Sequence, residues 1–217
     1  MKRLSSLLGS LALAMALLAI AWTPAVAGDP SQENSCFTWQ NRPVGSDYTV
    51  VCPSGDAGTA RIYVKLRDSQ GQPCSGHTVT ASFYSDYDVY MCQTISGVTD
   101  ANGVAVLNIY GSVDVTAGRD CAPVETSINV TSYYGLGIPF CPDCPTIPDP
   151  PVGCLAASSD SWLTFDYDGD LDVDGMDYSE FAKDWNTSAC RSDFNADGKV
   201  DLLDWSVFCL HWLDACP

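Results

Sequence analysis

The chain is poor in histidine, and this shortage narrows its possible functions. Its 217 residues include two histidines, His77 and His211, which lie far apart in the sequence and which we expect at the surface. A Ser-His-Asp or Cys-His hydrolase site therefore has little to draw on. The sequence also lacks a glycine-rich phosphate loop followed by lysine. We predict that the protein is not an enzyme.

Basic residues are scarce as well. The chain has 10 Lys and Arg against 27 Asp and Glu, and its formal net charge is −17. Such an acidic surface repels the phosphates of nucleic acids and the head groups of anionic lipids, and it attracts divalent cations where carboxylates cluster. We therefore expect no nucleic-acid partner, and the carboxylate clusters become candidate cation sites.

Long apolar runs are absent except near the N-terminus. Residues 1–27 combine a basic start, an apolar stretch at residues 7–22 and a small-residue end at Ala27, which are the features of a secretory signal peptide. A transmembrane anchor is the alternative, but the apolar stretch has about 16 residues, whereas a spanning helix needs roughly 20. We expect cleavage after Ala27, a secreted, extracellular or cell-surface protein, and no membrane insertion of the mature chain.

Cysteine, by contrast, is abundant. Eleven cysteines in an exported chain indicate a disulfide framework, because oxidising compartments allow disulfides to persist. The spacing does not reveal the pairing, and the odd number leaves at least one thiol free or paired with another chain. Cys141 and Cys144 have the C-x-x-C spacing of zinc and redox sites. No second pair accompanies them, so we expect an ordinary disulfide participant.

Proline divides the chain into two parts. Residues 143–158 contain four prolines, which interrupt both helix and sheet, and we predict a linker there. It separates a front module, residues 28–142, from a tail, residues 159–217. Short runs of alternating apolar and polar residues in the front module predict strands with one buried face. The predicted strands are 48–52, 60–66, 79–83, 104–109, 113–116 and 128–133.

Three stretches give the front module a family resemblance. Residues 64–73 (VKLRDSQGQP), 79–83 (VTASF) and 98–105 (VTDANGVA) resemble the bacterial Ig-like domains of invasin-type surface proteins. The resemblance implies a β-sandwich that serves as a spacer or as a protein-binding surface. A polysaccharide-binding role is an alternative, with candidate stacking residues at Tyr84, Tyr87, Tyr90, Tyr133 and Tyr134.

The acidic residues of the tail lie in two aligned loops. In the second loop, residues 193–204, oxygen-bearing side chains stand at positions 1, 3, 5, 9 and 12, and Gly198 stands at position 6, where calcium loops bend sharply. The first loop, residues 166–177, lies 27 residues earlier and repeats this pattern, but Leu171 occupies position 6 and the glycine is displaced to Gly169. We expect two Ca²⁺ sites, of which the second is the more secure, and we expect the position 8 valine of the second loop to pair with the first loop.

The same 27-residue offset aligns Phe181 with Phe208 and Trp185 with Trp212, on stretches with helical spacing of apolar residues. Such a duplicated loop and helix resembles a type I dockerin, the calcium-dependent module by which secreted proteins bind cohesin domains. The resemblance implies that Asp172 and Lys199 contribute main-chain carbonyls, and that the residue at position 9 acts through a water. The other implied ligands are Asp166, Asp168, Asp170, Asp174, Asp177, Asp193, Asn195, Asp197, Asp201 and Asp204.

Taken whole, the sequence predicts a mainly β protein, with an Ig-like β-sandwich followed by a small all-α calcium-binding domain of paired loops and helices. The implied function is calcium-dependent docking to a cohesin-like or other extracellular protein. Positions 10 and 11 are small hydroxyl residues in many cellulosomal dockerins, but here they are Gly175 with Met176 and Leu202 with Leu203. A calcium-stabilised surface protein without a cohesin partner, and a carbohydrate-binding accessory protein, are the alternatives. From residue 160 to residue 214 there are 14 acidic and 3 basic residues, so we expect the tail to fold only when cations neutralise it.

Overall fold

A computed structural model describes residues 28–40, 48–55, 60–116, 121–131, 133, 136–140, 144 and 158–217. The predicted signal peptide lies outside these residues, as does the predicted linker apart from Cys144 and Ser158. Within the described ranges there are eleven strands and two α-helices, and both helices belong to the tail. None of these helices is long and apolar enough to cross a membrane.

The elements are short. The helices have nine residues each and are α1, Gly175–Lys183, and α2, Leu202–Leu210. Two 3-10 turns occur at Gln32–Asn34 and Cys190–Ser192. The strands, in chain order, are β1 Cys36–Gln40, β2 Tyr48–Val51, β3 Arg61–Lys65, β4 Thr78–Tyr84, β5 Val89–Met91, β6 Ser96–Val98, β7 Val104–Asn108, β8 Gly111–Val113, β9 Ala122–Val130, β10 Gly137–Ile138 and β11 Ser158–Thr164.

Two sheets enclose the main core. Strands β1, β3 and β7 form an antiparallel sheet, and β2, β11, β9, β4 and β6 form a second sheet in that order, with β10 paired to β9. Along β3 the side chains of Ile62 and Val64 are fully buried while Tyr63 is half-buried, as the period of two predicts. Buried residues of both sheets belong to one cluster. The mainly β character and the Ig-like β arrangement are therefore present.

Several strand bounds differ from the predictions. The strand predicted at 113–116 overlaps β8 only at Val113, and the strand predicted at 128–133 overlaps the last part of β9, which begins at Ala122 and ends at Val130. Strand β1 was not predicted at all. Its first four side chains, at residues 36–39, are all buried, so its sequence does not show the alternation that marks a half-buried strand.

The prediction of a separate all-α domain in the tail is wrong. The described part of the tail begins with β11, which pairs in parallel with β2 and antiparallel with β9. This strand therefore lies inside the sheet of the front module. Trp162 of β11 is fully buried, and its ring contacts Trp39 at 6.2 Å and Phe83 at 5.1 Å. Two nine-residue helices offer too little apolar surface to bury such a strand, so it completes the larger core instead.

The core continues from the sheets into the tail. Phe165 and Tyr167 follow β11 and are fully buried in the same cluster. The backbone carbonyl of Tyr167 accepts a hydrogen bond from the Val115 N–H at 3.0 Å. Arg191, which is 4% exposed, donates to the carbonyl of Val115 and forms an ion pair with Asp184 at 2.7 Å. Removing either partner of this buried pair would leave an uncompensated charge.

Disulfides reinforce the junction between the two parts. Three are formed among the described residues, and two of them, Cys92–Cys216 and Cys121–Cys190, link the front module to the tail. The third, Cys36–Cys144, makes Cys144 an ordinary disulfide participant, as predicted. Cys52 and Cys74 are buried free thiols, and Cys209 is an exposed one. Cys141 and Cys154 lie outside the described residues.

Replacing Trp162 by alanine tests whether β11 of the tail belongs to the core of the front module. Removing a fully buried indole leaves a cavity between the two sheets, which should lower the free energy of unfolding by about 3–5 kcal/mol. Trp185 on α1 is 38% exposed, so Trp185→Ala is a matched control that should lower it by less than about 1 kcal/mol. Guanidinium unfolding with the disulfides intact measures both values. Equal losses in the two variants would contradict the place of β11 in the core.

Candidate calcium centre

The two acidic loops have the same pattern of backbone bends. Gly169 and Leu171, at positions 4 and 6 of the first loop, have φ angles of 74° and 72°. Their equivalents in the second loop, Ala196 and Gly198, have φ angles of 59° and 90°. Each loop therefore has two left-handed bends and a glycine at one of them. A left-handed residue other than glycine costs roughly 1–2 kcal/mol, so the displaced glycine does not make the first loop more strained than the second.

The carboxylates at position 1 hold these bends. Asp166 accepts hydrogen bonds from the backbone N–H groups of Gly169 at 2.7 Å and Leu171 at 2.9 Å. Asp193 accepts in the same way from Gly198 at 2.8 Å. These aspartates thus satisfy backbone donors at the bends, and part of their role is structural.

The carboxylates at positions 9 and 12 begin the helices. Asp174 caps α1 by accepting from the Met176 N–H at 2.7 Å, and Asp177 accepts from the Asp174 N–H at 2.7 Å. Asp201 and Asp204 form the same reciprocal capping box at the start of α2. Because such boxes satisfy the free N–H groups of a helix start, each loop leads directly into its helix. Any ion bound by these carboxylates would therefore also fix the helix N-terminus.

The first loop brings its carboxylates together. Oxygens of Asp166, Asp168 and Asp177 lie within 4.8 Å of one another, and so do oxygens of Asp172, Asp174 and Asp177. The Oδ1 atoms of Asp168 and Asp172 are buried and have no hydrogen-bond partner. A buried carboxylate oxygen without a partner is unfavourable, and Ca²⁺ takes six to eight oxygen ligands. The residues of the first loop therefore fit a calcium ion.

Two residues of the first loop are not placed as their predicted ligand roles require. Asp172 was expected to contribute only its main-chain carbonyl, but its side chain joins the cluster. Asp170, expected as a side-chain ligand, is exposed and accepts from the Asp172 N–H at 3.2 Å. Among the described residues it belongs to neither carboxylate group.

The carboxylates of the second loop are less closely grouped. No three of its carboxylates come within 4.8 Å of one another, although all of its residues are described. The Asn195 amide donates to Asp197 at 3.1 Å, and Asp204 accepts from the backbone N–H of Asp201 at 2.8 Å. Lys199 lies 3.8 Å from the Asp201 carboxylate and adds positive charge. The sequence favours the second loop, whereas this geometry and charge favour the first.

Burial raises the pKa of four carboxyl groups in the first loop. Desolvation, followed by the charge of Asp177, raises the pKa of Asp166 to about 7, and desolvation raises the pKa of Asp177 to about 6. Desolvation also raises the pKa of Asp168 and Asp172 and, in the second loop, that of Asp204. Without a cation the first loop thus holds protons near neutral pH.

Backbone hydrogen bonds of the valines at loop position 8 connect the two repeats. Val173 exchanges backbone hydrogen bonds of 2.8 and 2.9 Å with residues 213–214, which follow α2. Val200 exchanges bonds of 3.0 and 2.9 Å with residues 186–187, which follow α1. The backbone of Val200 thus pairs with the end of α1 in the first repeat, and the expected contact of its side chain with the first loop stays a prediction. Each loop is fixed to the end of a helix, and both valines are fully buried.

The helices also pack on each other through the repeat. Phe181 and Phe208 are buried, and their rings stack 5.2 Å apart. Tyr178 and Trp205, again 27 residues apart, lie 5.3 Å from each other. The aligned aromatic residues therefore form the contact between α1 and α2 that their sequence predicts.

The outer side of the two helices is apolar and exposed. Met176 at position 11 of the first loop is 62% exposed, and Leu202 and Leu203 at positions 10 and 11 of the second are 69% and 58% exposed. Leu202 also lines a groove of about 480 Å³. Contiguous apolar patches on a soluble protein mark interaction sites more often than scattered single residues do. The groove is lined by Tyr178, Phe181, Ala182, Trp185, Leu202 and Trp205.

The tyrosines proposed for carbohydrate stacking have different environments. Tyr84 is 63% exposed. Tyr90 is so close to Gly169 that a side chain there would meet its ring at 2.4 Å. Tyr87 packs against the core, and the hydroxyl of Tyr133 donates to Asp29 at 2.5 Å. The remaining candidate, Tyr134, lies outside the described residues.

The expected surface position of His211 is wrong. It is 9% exposed rather than at the surface, and its ring stacks on Phe165 at a centroid distance of 4.1 Å. Its Nδ1 atom lies 2.8 Å from Oδ2 of Asp214. The spacing of histidine and aspartate by three residues at a helix end is the signal that would have indicated this contact.

Comparisons with known proteins assign no family. No protein-family model matches the sequence, and no curated protein is similar to it. Among solved structures, the adhesin InvE of Yersinia pseudotuberculosis matches 63% of this chain and 28% of that chain, with 17% sequence identity and a TM-score of 0.34. The match thus spans less than a third of that protein, and a likeness this weak assigns neither a family nor a function.

Matched substitutions at position 9 test the ranking of the loops. Asp174 and Asp201 cap α1 and α2, and the side chain of each accepts one backbone N–H, from Met176 and Leu203 respectively. Calorimetric titration of residues 28–217 with Ca²⁺ should show two binding events. Asp174→Asn should weaken the tighter event by roughly tenfold or more, and Asp201→Asn the weaker one, because affinity follows the ligand charge. The reverse assignment would support the second loop, and no binding would remove both sites.

Without calcium, the protein should be more stable in mild acid than at neutral pH. The pKa values of Asp166 and Asp177 are raised in the folded state, to about 7 and about 6, above the value of about 4 for an unfolded aspartate. The folded state therefore binds more protons than the unfolded state between about pH 4 and about pH 7, and stability falls as pH rises through this window.

Thermal unfolding in EDTA measures this effect. The midpoint should rise as the pH falls from about 7.5 to about 5.5, and Asp166→Asn should reduce the rise. In saturating calcium the same acidification should lower the midpoint, because protons compete with the ion. A midpoint in EDTA that falls over this range would contradict the raised pKa values.

Proposed function

We propose that this chain is a secreted, non-catalytic protein that docks onto another extracellular protein through a calcium-ordered surface on α1 and α2. The observation that carries the proposal is the exposed apolar face of these helices, where Met176, Leu202 and Leu203 are each more than half exposed. The groove that Leu202 lines supplies a pocket for an apolar anchor from a partner. The Ig-like sheets then form the body that is held next to the partner.

Calcium is proposed to order this surface. Asp174 and Asp177 belong to the carboxylate cluster and also begin α1. An ion bound there would neutralise their repulsion and fix the helix start from which Met176 projects. Asp201 caps α2 in the same way, directly before Leu202. Docking is therefore expected to require calcium even though the helices are not a separate domain.

The charge of the tail indicates the chemistry of the partner. Residues 160–214 contain 14 acidic and 3 basic residues, so the tail that carries the apolar face is strongly acidic. A complementary partner would present an apolar centre with basic residues at its rim, since interfaces combine a dry centre with a polar, charge-matched edge. A cohesin-type receptor is the class that we favour. Such a receptor would make apolar contacts with Leu202 and Leu203.

The disulfides support an extracellular location. Three form among the described residues, and two connect segments of the front module to the tail. Disulfides persist in oxidising compartments and are rare in the cytosol. Together with the expected signal peptide, they support secretion.

A second candidate is a calcium-stabilised surface protein that has no docking partner. It is favoured by the insertion of β11 into the sheet and by the disulfides Cys92–Cys216 and Cys121–Cys190, which attach the tail to the body. In such a protein the ions would only stabilise the C-terminal part. The two candidates differ in whether the exposed leucines contact another molecule.

Substituting the exposed leucines separates the two candidates. The double variant Leu202→Ser and Leu203→Ser should reduce capture of the partner from a native secretome by about tenfold or more, since central apolar contacts carry most of the binding energy. EDTA should abolish capture by the unchanged chain. Val98 and Val106 are 62% and 48% exposed on the sheets, so Val98→Ser with Val106→Ser is the matched control and should leave capture unchanged.

Calcium titration of the leucine variant checks its fold. Binding equal to that of the unchanged chain would show that any loss of capture comes from the surface. If the leucine variant and the control recover the same proteins in equal amounts, the docking surface is wrong and the second candidate is favoured.

A further inference from the structure

A polar cluster joins the end of the tail to the front module. Three donor atoms surround a single carboxylate oxygen, Oδ2 of Asp214. The thiol of Cys52 lies 3.1 Å from it, the hydroxyl of Ser54 lies 2.9 Å from it, and Nδ1 of His211 lies 2.8 Å from it. The ligand atoms of Cys52, His211 and Asp214 are all within 4.8 Å of one another. The cluster thus brings sulfur, nitrogen and oxygen ligand atoms close together.

This donor set differs from that of the acidic loops. Calcium takes oxygen ligands, whereas zinc and related metals take cysteine sulfur, histidine nitrogen and carboxylate oxygen together. We propose that Cys52, His211 and Asp214 form a site for a zinc-type transition metal ion. The hydroxyl of Ser54, which also lies 3.4 Å from the Cys52 sulfur, or a water molecule would supply the fourth position.

The geometry is close to what such an ion requires. A tetrahedral site with metal–ligand distances of about 2.0–2.3 Å places its ligand atoms roughly 3–4 Å apart. The sulfur–oxygen and nitrogen–oxygen distances of 3.1 and 2.8 Å are near this range. Small side-chain movements would therefore make room for the ion.

The charges and protons balance. On binding, the Cys52 thiol proton leaves to solvent and the sulfur becomes a thiolate, while a neutral His211 carries its proton on Nε2 and binds through Nδ1. A divalent ion with one thiolate and one carboxylate has no net charge. A neutral site is what a buried position favours, because an unpaired buried charge is costly.

The ligands come from two parts of the chain that are already fixed. Cys52 directly follows β2 and is fully buried, and His211 is held by stacking on Phe165. The disulfide Cys92–Cys216 lies two residues beyond Asp214. Bound metal would therefore tie the C-terminal end of the tail to the front module. The thiol faces a carboxylate rather than the imidazole, so the cluster does not have the arrangement of a Cys-His nucleophile.

Cobalt(II) is the probe for this site, because it occupies tetrahedral zinc sites and its thiolate ligand gives a charge-transfer band in the near ultraviolet. The titration uses residues 28–217 with excess Ca²⁺, which occupies the acidic loops. We expect one cobalt ion per chain, a thiolate band with visible bands of tetrahedral cobalt, and displacement of both by Zn²⁺. Absence of a thiolate band in the unchanged chain would overturn the proposal and leave a polar cluster only.

Two cysteine variants assign the band. Cys52→Ser should abolish it, whereas Cys209→Ser removes an exposed free thiol and should leave it unchanged. Asp214→Asn keeps a hydrogen-bond acceptor and should lower cobalt affinity at least tenfold. Calcium titration and thermal unfolding verify that the variants fold. A band that survives Cys52→Ser or disappears in Cys209→Ser would place the metal elsewhere and refute the site. Because the calcium sites are occupied throughout, the result does not depend on the proposed docking function.

Discussion

The insertion of β11 between β2 and β9 is the interaction on which the rest of the structure depends. In the order of the large sheet, β2 has β11 as its neighbour. Without β11 both β2 and β9 would have a row of unpaired backbone N–H and C=O groups. Such groups are unfavourable when they are buried, and an exposed strand edge is prone to association with other chains. The same strand brings Trp162 between the sheets, where it contacts Trp39 and Phe83. One segment thus supplies hydrogen bonds to two strands and a large side chain to the core.

The position of β11 also explains why two loops of nearly equal sequence differ. The first loop begins at Asp166, two residues after the strand ends, and the hydroxyl of Ser112 in β8 donates to the Asp166 carbonyl at 2.7 Å. The ring of Tyr90 covers Gly169, so only glycine fits at that bend. The equivalent residue of the second loop, Ala196, is exposed. Residues of β5 and β8 therefore cover the first loop, where burial raises the pKa of Asp166 and Asp177, whereas the second loop faces more solvent.

Local features of the tail followed from its sequence, and distant pairings did not. The 27-residue repeat, the two helices and the stacking of Phe181 on Phe208 depend on spacing that is present in the sequence. The sequence of β11, Ser-Ser-Asp-Ser-Trp-Leu-Thr, has few β-branched residues and follows a predicted linker, so propensity gave no reason to expect a strand. Its partner β2 is more than 100 residues away along the chain. The burial of His211 has the same origin, because it arises from contacts with Phe165 and with residues near Cys52 rather than from its own helix.

The insertion of β11 into the sheet of the front module changes the role that is expected for calcium. A free-standing acidic module would depend on the ion to fold at all. Here β11 and two disulfides attach the tail to the front module, and the disulfides also restrict the conformations of the unfolded chain. An ion at a hundredfold excess over its dissociation constant adds about 2.7 kcal/mol. That amount suffices to offset repulsion among a few carboxylates and to fix the starts of α1 and α2. We therefore propose that calcium orders the exposed apolar face rather than folds the tail, and that the face holds a fixed orientation relative to the sheets.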